Sequence, residues 1–579
     1  MAMDTMKIEN KFDREKRIEL EKPTEGAVKQ INFDELLIAA GEFGIYQILL
    51  FFATSPFFLF GVFVYYSQMF ITEPSPNHWC WVPELANLTD TERRTLAIPI
   101  DDSTKFGYSH CQVYDANWDE VLIAGQIPNS TWPTKACEHG WEFNKTEIPY
   151  PTITSEMDWI CDRGSYQATA QALFFVGSII GGFLIGWVAD RYGRLPAAVY
   201  STLIGCLGGI LTTFARNFTE FSIYRFIAGM AYDNCMMMAY LILLEYVTPK
   251  YKTMVANMAF ALFYTSFTIA MPWISLACGH WKTISIVTSA PLLLAVLAPC
   301  CIPESPRWLL SMGRVEEAIN KILTISRINK KEIPPKIIER FKCTVSKETK
   351  EESHSCLEIF KRPPIRRTFI LMCLEFTCCT IIFDALVRST GQLGFDFFIS
   401  FSVISFTELP SMCVVAFIMD WMGRKWVTIG CMMLCSVFTL LTVFVGSGVP
   451  SVMCTVLARF FVNISYNATM QWTAEVLPTQ VRGSGASVVH ICGYIGTALS
   501  PYIVYLQIYI SWLPFVIIAA IAAFGAFIAF ALPETTKKDI PQTFNEAEEL
   551  SRNINLWEMP CLSRPKNVVS GHENESFEM

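Results

Sequence analysis

Long apolar runs alternate with short polar segments along most of the chain. About twelve of these runs contain the roughly 20 mostly apolar residues that a helix needs to cross a bilayer. The pattern predicts six spans in each half of the chain, over 46–70, 168–189, 195–215, 220–247, 253–278 and 283–302, and over 367–388, 396–419, 426–445, 451–474, 484–506 and 511–532. We therefore predict an all-α membrane protein with twelve transmembrane helices.

The polar segments give the predicted organisation of the chain. They indicate a cytoplasmic N-terminal segment at 1–45, a six-helix bundle at 46–302 with an extracellular loop at 71–166, a cytoplasmic loop at 303–366, a second six-helix bundle at 367–532 and a cytoplasmic tail at 533–579. The loop at 303–366 carries 14 lysine and arginine residues, which favour the cytoplasmic side. The polar first forty residues show no signal peptide. We expect a multi-pass protein of the plasma membrane with both termini inside.

Composition agrees with this class and excludes several functions. Hydrophobic residues make up 52% of the chain, charged residues 17%, and mean hydropathy is +0.34, an apolar excess that requires the bilayer as solvent. The net charge of −8 gives no reason to expect a nucleic-acid partner. The sequence has no G-x-x-x-x-G-K-[ST] loop and no cluster with metal-ligand spacing. We therefore expect no enzyme, no ATP-driven pump, no cofactor and no metal.

The predicted extracellular loop shows features of an oxidising compartment. It contains three acceptor sequences for N-glycosylation, at Asn87, Asn129 and Asn144. It also contains four cysteines, Cys80, Cys111, Cys137 and Cys161. Four extracellular cysteines favour two disulfides, and the sequence leaves all three pairings open.

One charged turn occurs twice in the chain, once in each half. GWVADRYGR at 186–194 and AFIMDWMGRK at 416–425 place an aspartate, a glycine and an arginine in the same spacing. The shift that superimposes these turns also superimposes PESPRWLL, which begins at Pro303, on PETTKK, which begins at Pro533. Many secondary transporters are built from two such halves, with the substrate near the midplane between them.

These motifs resemble those of a known transporter family. GWVADRYGR, PESPRWLL, AEVLPTQVR, GEFGIYQ at 41–47 and the long first outer loop ending in EMDWICDRG are similar to the organic cation, anion and carnitine transporters of the major facilitator superfamily. An insect-type amine or carnitine-like transporter is the narrower resemblance. It implies two pseudo-symmetric six-helix bundles, and a monomeric transport unit is expected, with membrane lipid and a small molecule as partners.

The resemblance also implies a role for the charged turns. They are expected to form ion-pair networks that bridge helices when the inner side is shut, and to bias a two-state equilibrium rather than bind cargo. The residues concerned are Asp190, Arg194, Glu245, Glu304 and Arg307 in the first half, and Asp420, Arg424, Glu475, Arg482 and Glu534 in the second. Arg225 and Arg459, which lie within spans, one in each half, are interpreted as scaffold arginines.

Four acids lie within the predicted spans, where a charge is costly unless it faces a cavity or a partner. They are Asp233, Glu375, Asp384 and Glu408. Glu408 matches a glutamate of cation-carrying relatives and is expected to line the path. Asp233 either binds cargo or pairs with a neighbouring helix. Glu375 and Asp384 are about two and a half turns apart, so they point to opposite sides of their helix, and Asp384 is expected to be solvated.

Aromatic residues are the remaining candidates for the substrate path. Cation carriers of the family place an aspartate, and anion or carnitine carriers an arginine, where this chain has Tyr494. Its ring face still attracts an ammonium group. Further ring candidates are Tyr264, Phe383, Tyr466 and Trp472, with packing as their alternative role, and His490 lies one turn before Tyr494.

The acids and rings together favour alternating-access transport of small organic cations or zwitterions. Candidate cargoes are amines, carnitine-like zwitterions and amino-acid-conjugated amines. The alternatives are an organic anion or sugar carrier of the same fold, which requires a basic residue in the cavity, and a non-transporting membrane receptor, which has no need of two matched turns.

Overall fold

The structure is a computed structural model that describes residues 33–73, 77–101, 107–125, 128–129, 131–347, 358–536, 538, 540–552, 554 and 557. Within these residues, twelve helices are long and apolar enough to cross a membrane, as the hydrophobic pattern predicts. We number them spans 1 to 12: Ile45–Thr72, Cys161–Tyr192, Arg194–Thr212, Phe218–Glu245, Pro249–Cys278, Trp281–Cys301, Pro363–Gly391, Phe397–Val415, Arg424–Val445, Val449–Val476, Thr479–Ile508 and Leu513–Phe530. Most of the predicted segments at 1–45 and 533–579 lie outside the described residues.

Four spans depart from a regular α-helix within the membrane. Span 4 is two helices separated by a turn, span 5 contains a π-helix, span 6 contains a 3₁₀-helix, and span 8 is interrupted at Thr407. The segments of span 4 are Phe218–Gly229 and Asn234–Glu245, and those of span 5 are Pro249–Ala259, Phe260–Tyr264 and Thr265–Cys278. The segments of span 6 are Trp281–Ser289, Ala290–Leu297 and Ala298–Cys301, and those around span 8 are Phe397–Phe406 and Glu408–Met422. Irregular backbone at membrane depth is tolerated where protein or a cavity surrounds it. The hydrophobic pattern predicts continuous helices here.

A small domain lies between spans 1 and 2, within residues 73–160. We call the end of the molecule that carries this domain the outer side and the opposite end the inner side. Strand β1 (His78–Cys80) pairs antiparallel with β4 (Trp141–Phe143), and β2 (Gln112–Tyr114) pairs antiparallel with β3 (Thr134–Ala136). Its helices are Pro83–Leu85, Asp90–Ala97, Trp118–Ala124 and Ile153–Glu156. Disulfides join Cys80 to Cys137 and Cys111 to Cys161, which selects one of the three possible pairings.

Short helices cover the opposite, inner face of the molecule. They are Phe33–Gly41, Pro306–Ser311, Val315–Ile328, Pro335–Lys347, Glu358–Lys361 and Phe544–Arg552. Arg362 lies over the Phe544 ring at 5.3 Å and donates to Glu548 at 3.3 Å, which anchors the last helix to the start of span 7.

Spans 1–6 and spans 7–12 form two bundles, which we call the N-half and the C-half. The most extensive contacts between the halves are two helix pairs, span 2 with span 11 and span 5 with span 8. Exchanging the halves converts the first pair into the second, because span 2 corresponds to span 8 and span 11 to span 5. This confirms the two pseudo-symmetric six-helix bundles.

The repeated turn has the same hydrogen bonds in both halves. Glu304 accepts a bond from the backbone N–H of Arg194 at 2.9 Å, and Glu534 accepts one from that of Arg424 at 3.1 Å. Gly193 has φ +115°, and a Cβ atom there would lie 2.3 Å from Glu304 Oε2. Glycine is therefore needed for the chain to pass directly from span 2 into span 3.

The two halves are in contact at their outer ends. Phe70 of span 1 packs against Phe397 and Phe398 of span 8, with ring centroids 5.5 and 6.4 Å apart. Tyr502 of span 11 donates a hydrogen bond to Thr169 of span 2 at 3.2 Å. The structure therefore shows an arrangement that is closed on the outer side.

Candidate functional site

The break in span 4 places an acid between the halves. Asp233 directly precedes the helix Asn234–Glu245 and has φ +63°, a backbone conformation that is uncommon outside glycine. Its carboxylate accepts a hydrogen bond from the Tyr494 hydroxyl of span 11, so this contact joins the N-half to the C-half. Strained backbone of this kind concentrates at ligand sites and switch regions.

The buried acids of the spans differ in their counter-charges. Glu408 accepts a hydrogen bond from Arg459 at 3.0 Å, and Asp384 forms an ion pair with Arg388. Among the described residues, by contrast, Asp233 has no basic partner within ion-pair distance. Asp233 therefore places an acid between the halves that has no ion-pair partner among the described residues, with His490 as the neighbouring base.

Aromatic rings from both halves occupy the region around this carboxylate. Tyr232 stacks on Tyr65 with centroids 4.7 Å apart and meets Tyr494 edge to face at 6.2 Å. Tyr466 stacks on Phe383 at 5.2 Å. Tyrosine rings from both halves, and the Tyr494 hydroxyl, therefore lie near this carboxylate.

Tyr264 and His490 lie at different edges of this group of rings. Tyr264 donates a hydrogen bond to Tyr66 at 3.4 Å, and Tyr66 packs edge to face on Phe401 of the C-half at 5.3 Å. The ring of His490 lies 6.3 Å from that of Tyr494. Tyr264 therefore belongs to the seam between spans 1, 5 and 8, whereas His490 belongs to the span 11 side.

Glu408 and Arg459 form a buried ion pair inside the C-half. Glu408 begins the second segment of span 8, and Arg459 is fully buried in span 10. Arg459 also donates to the Phe383 carbonyl and lies over its ring at 3.3 Å. The two residues are far apart in the sequence, so the sequence analysis treated Glu408 as a lining acid and Arg459 as scaffold. The structure shows that each compensates the charge of the other.

Glu375 lies within the C-half, away from the acid in span 4. It is fully buried and accepts a hydrogen bond from Cys379 Sγ at 3.3 Å. Cys379 in turn contacts Ser465 of span 10 and Met432 of span 9. Glu375 therefore faces the neighbouring helices of its own bundle.

The expectation of a solvated Asp384 was wrong. Its exposed fraction is 1%, and it accepts hydrogen bonds from Arg388, from Ser500 of span 11 and from Tyr65 of span 1. Arg388 also donates to Gln171 of span 2 at 2.6 Å. We call these five residues the outer latch, because they join the two halves above the ring cluster. An acid and an arginine four residues apart on one helix commonly pair, and this signal was available in the sequence.

Trp472 does not line a path between the halves, although the sequence analysis named it as a ring candidate. It is fully buried, and its indole N–H donates to the Pro533 carbonyl at 2.9 Å. Both residues belong to the C-half at its inner end, so Trp472 is a packing residue there.

The charged residues of the inner face form one network in each half. Ser305 donates to Glu245, and Thr535, its counterpart in the second repeat, donates to Glu475 at 2.6 Å. The ion pairs are Arg194–Asp190 at 3.5 Å, Arg424–Asp420 at 3.2 Å and Arg424–Glu475 at 2.9 Å. Each of these contacts joins residues of the same half.

Two members of the predicted gate set have other partners. Arg307 pairs with Asp34 of the helix Phe33–Gly41, an acid that the sequence analysis did not single out. Arg482 donates to the carbonyls of Leu477 and Pro541, both at 3.3 Å, rather than to a carboxylate. These two arginines therefore tie the short helix Phe33–Gly41 and the segment around Pro541 to their own halves.

Comparison with known proteins identifies the family. The model of the Major Facilitator Superfamily matches residues 162–501 and 402–566, which is more than half of the chain. The chain belongs to the Major Facilitator Superfamily. It is accordingly a transporter and not an enzyme.

Curated relatives extend over nearly the whole chain. The carcinine transporter of Drosophila melanogaster is 29% identical over 569 residues, 95% of this chain and 84% of that protein. The beta-alanine transporter of the same species is 26% identical and covers 90% of this chain and 89% of that one. Solute carrier family 22 member 3 of Rattus norvegicus is 28% identical and covers 90% and 96%. These relatives confirm the resemblance stated from the motifs.

Solved structures confirm the fold. The inward-open xylose transporter XylE from E. coli aligns with a TM-score of 0.55 at 14% identity, covering 87% of this chain and 99% of that one. Its partially occluded inward-open form aligns with a TM-score of 0.53 at 15% identity, covering 85% and 99%. At such low identity the likeness concerns the fold alone.

Proposed function

We propose that the protein moves small organic cations or zwitterions across the plasma membrane by alternating access, with both termini in the cytoplasm. Amines, carnitine-like zwitterions and amino-acid-conjugated amines are the cargo classes. The observation that carries this proposal is Asp233, a carboxylate between the halves without a basic partner in the described structure.

The chemistry around Asp233 suits an ammonium group. A charge pair is stronger in a site of low dielectric than in water, and the rings of Tyr232, Tyr466 and Tyr494 offer faces that attract cations by about 0.5–2 kcal/mol each. Tyrosine hydroxyls can donate to the carboxylate end of a zwitterion. The names of the relatives support the same classes, since they include transporters of carcinine, of beta-alanine and of organic cations.

The contact between Asp233 and Tyr494 provides a way to couple binding to motion. An ammonium group that binds Asp233 competes with the Tyr494 hydroxyl for the same carboxylate oxygens. Binding therefore weakens a bond between the halves and alters the balance between their two arrangements. The charged networks of the inner face, in this proposal, hold each half rigid and bias that balance.

The alternatives have weaker support. A carrier of organic anions of the same fold requires a base that is free to meet an anion, and a neutral sugar offers no charge to the Asp233 carboxylate. Arg459, which lies over the Phe383 ring, is already paired with Glu408. A non-transporting receptor does not require two matched inner networks.

The test is an uptake assay in cells with labelled amines, carnitine-like zwitterions and carboxylates. Asp233→Asn removes the charge at nearly constant volume, and we expect amine uptake at low concentration to fall about tenfold or more, as for loss of a desolvated charge pair. The matched control is Glu375→Gln, which neutralises a fully buried acid inside the C-half.

Two outcomes would contradict the proposal. Faster uptake of carboxylates than of amines by the unmodified protein would reverse the sign of the cargo. Amine uptake that survives Asp233→Asn but is lost in Glu375→Gln would move the site into the C-half.

A further inference from the structure

A cavity of about 890 Å³ lies on the outer side, above the contact between the halves. We call it the vestibule. The outer domain covers it with Asp101, His110 and Trp159, while Glu73 and Arg388 are among the residues that line it from the spans. Its volume is within the range of about 300–1,000 Å³ that is typical of small-molecule sites.

Glu73 is the acid of the vestibule closest to the membrane. It follows span 1 directly, is partly buried, and accepts a hydrogen bond from the Gln167 amide at 3.3 Å. In the described part of the chain it has no basic partner within ion-pair distance. A Cβ atom on Gly391 would lie 2.9 Å from Glu73 Oε1, so a larger residue there would displace that oxygen.

The base that shares the vestibule is already engaged. Arg388 is bonded to Asp384 and to Gln171 within the outer latch, so its charge is compensated. The spans therefore contribute a net negative charge to the cavity, and the charge is centred on Glu73.

Aromatic rings line another side of the vestibule. Tyr505 and Tyr509 meet edge to face with centroids 6.3 Å apart, and both line the cavity together with Trp159. A carboxylate and exposed ring faces in one cavity are the combination that recognises a desolvated ammonium group.

We propose that the vestibule is a second binding site, which holds an organic ammonium ion against Glu73 outside the outer latch. It rests on the proposed function only for the identity of the cation. Tyr65 and Asp384 separate it from Asp233, so the outer site can be occupied while the path is closed. It captures the cation before the halves open.

The pH dependence of the site follows from its titratable groups. Burial raises the pKa of Glu73 to about 7, while the Gln167 amide and Arg388 act in the opposite direction. The carboxylate therefore gains its charge as pH rises through 7, and its ionised fraction increases about tenfold between pH 6 and pH 8. The other titratable groups that face the cavity or Glu73 are Asp101, His78, His110, Arg388, Tyr150, Tyr505 and Tyr509.

The experiment measures binding of radiolabelled tetraethylammonium to right-side-out membrane vesicles that contain the full chain with Asp233→Asn. We expect saturable binding that increases about tenfold from pH 6 to pH 8, in proportion to the ionised carboxylate. Adding Glu73→Gln should abolish it, whereas Glu73→Asp should retain it. Glu84→Gln, at an exposed position of the outer domain, is the matched control for surface charge.

Three outcomes would overturn the inference. The first is that the Asp233→Asn protein shows no saturable binding, and the second is that binding persists after Glu73→Gln. The third is that the pH dependence of binding is unchanged by Glu73→Gln, which would assign that dependence to the histidines. Glu73→Asp, which keeps the charge, separates loss of the site from loss of folding. Failure of the proposed function has a different signature, because the unmodified protein would then take up no amine while vestibule binding remained.

Discussion

The substitution Tyr65→Phe tests whether the outer latch holds the halves together. It removes the hydroxyl that Tyr65 of the N-half donates to Asp384 of the C-half. It keeps the ring that stacks on Tyr232 at 4.7 Å. Asp384 retains its bonds from Arg388 and Ser500, so a single bond between the halves is lost.

The magnitude follows from the kind of bond. A hydrogen bond to a charged group contributes about 1.5–3 kcal/mol, whereas interhelical bonds in membranes average about 0.6 and reach about 1.7 kcal/mol. The ranges overlap near about 1.5 kcal/mol, which corresponds to about a tenfold change in an equilibrium constant. Because the bond exists only when the outer side is closed, the ratio of the outward-open to the outward-closed arrangement should increase about tenfold.

Spin labels on non-natural amino acids at Phe214 and Phe444 provide the assay. Both side chains are exposed: Phe214 directly follows span 3, and Phe444 lies at the outer end of span 9. Their separation reports opening of the outer side. Ser500→Ala is the control, because Ser500 bonds Asp384 within the C-half and its loss affects both arrangements equally. If the fraction of molecules with a long distance between the two spin labels is equal in Tyr65→Phe and Ser500→Ala, the proposed role of the outer latch is refuted.

Two further predictions concern the stability of the purified protein, measured by thermal unfolding in detergent. Glu408→Gln leaves the Arg459 charge buried and unpaired, which should lower the free energy of unfolding by about 3–5 kcal/mol. Adding Arg459→Gln should restore most of this stability. A double variant that is no more stable than Glu408→Gln would argue against the ion pair. Gly193→Ala should destabilise by about 1–3 kcal/mol, because it forces a side chain to φ +115° beside Glu304. Gly186→Ala, where the added Cβ meets open space, should change stability little, and equal losses in both would contradict the turn geometry.

The sequence by itself determined the parts of this protein that depend on local pattern. A helix needs roughly 20 mostly apolar residues to cross a bilayer, so twelve spans could be counted from the sequence without knowledge of how they pack. The repeated turn could be recognised because both halves keep Asp, Gly and Arg in the same spacing. The structure shows equivalent hydrogen bonds in the two turns, from the backbone N–H of each arginine to Glu304 and to Glu534.

The tertiary structure decided which residues meet. Contacts between helices depend on the rotation and depth of each helix, which linear spacing does not contain, so the pair of Glu408 with Arg459 and the contact of Asp233 with Tyr494 were not predicted. The break in span 4 at Asp233 was not predicted either, because the sequence there remains mostly apolar. Neighbouring helices hold the strained backbone of Asp233 in place. Whether an acid of the spans can bind cargo therefore depends on how the helices pack. Packing gives Glu408 the counter-charge of Arg459 and gives Asp233 the hydroxyl of Tyr494.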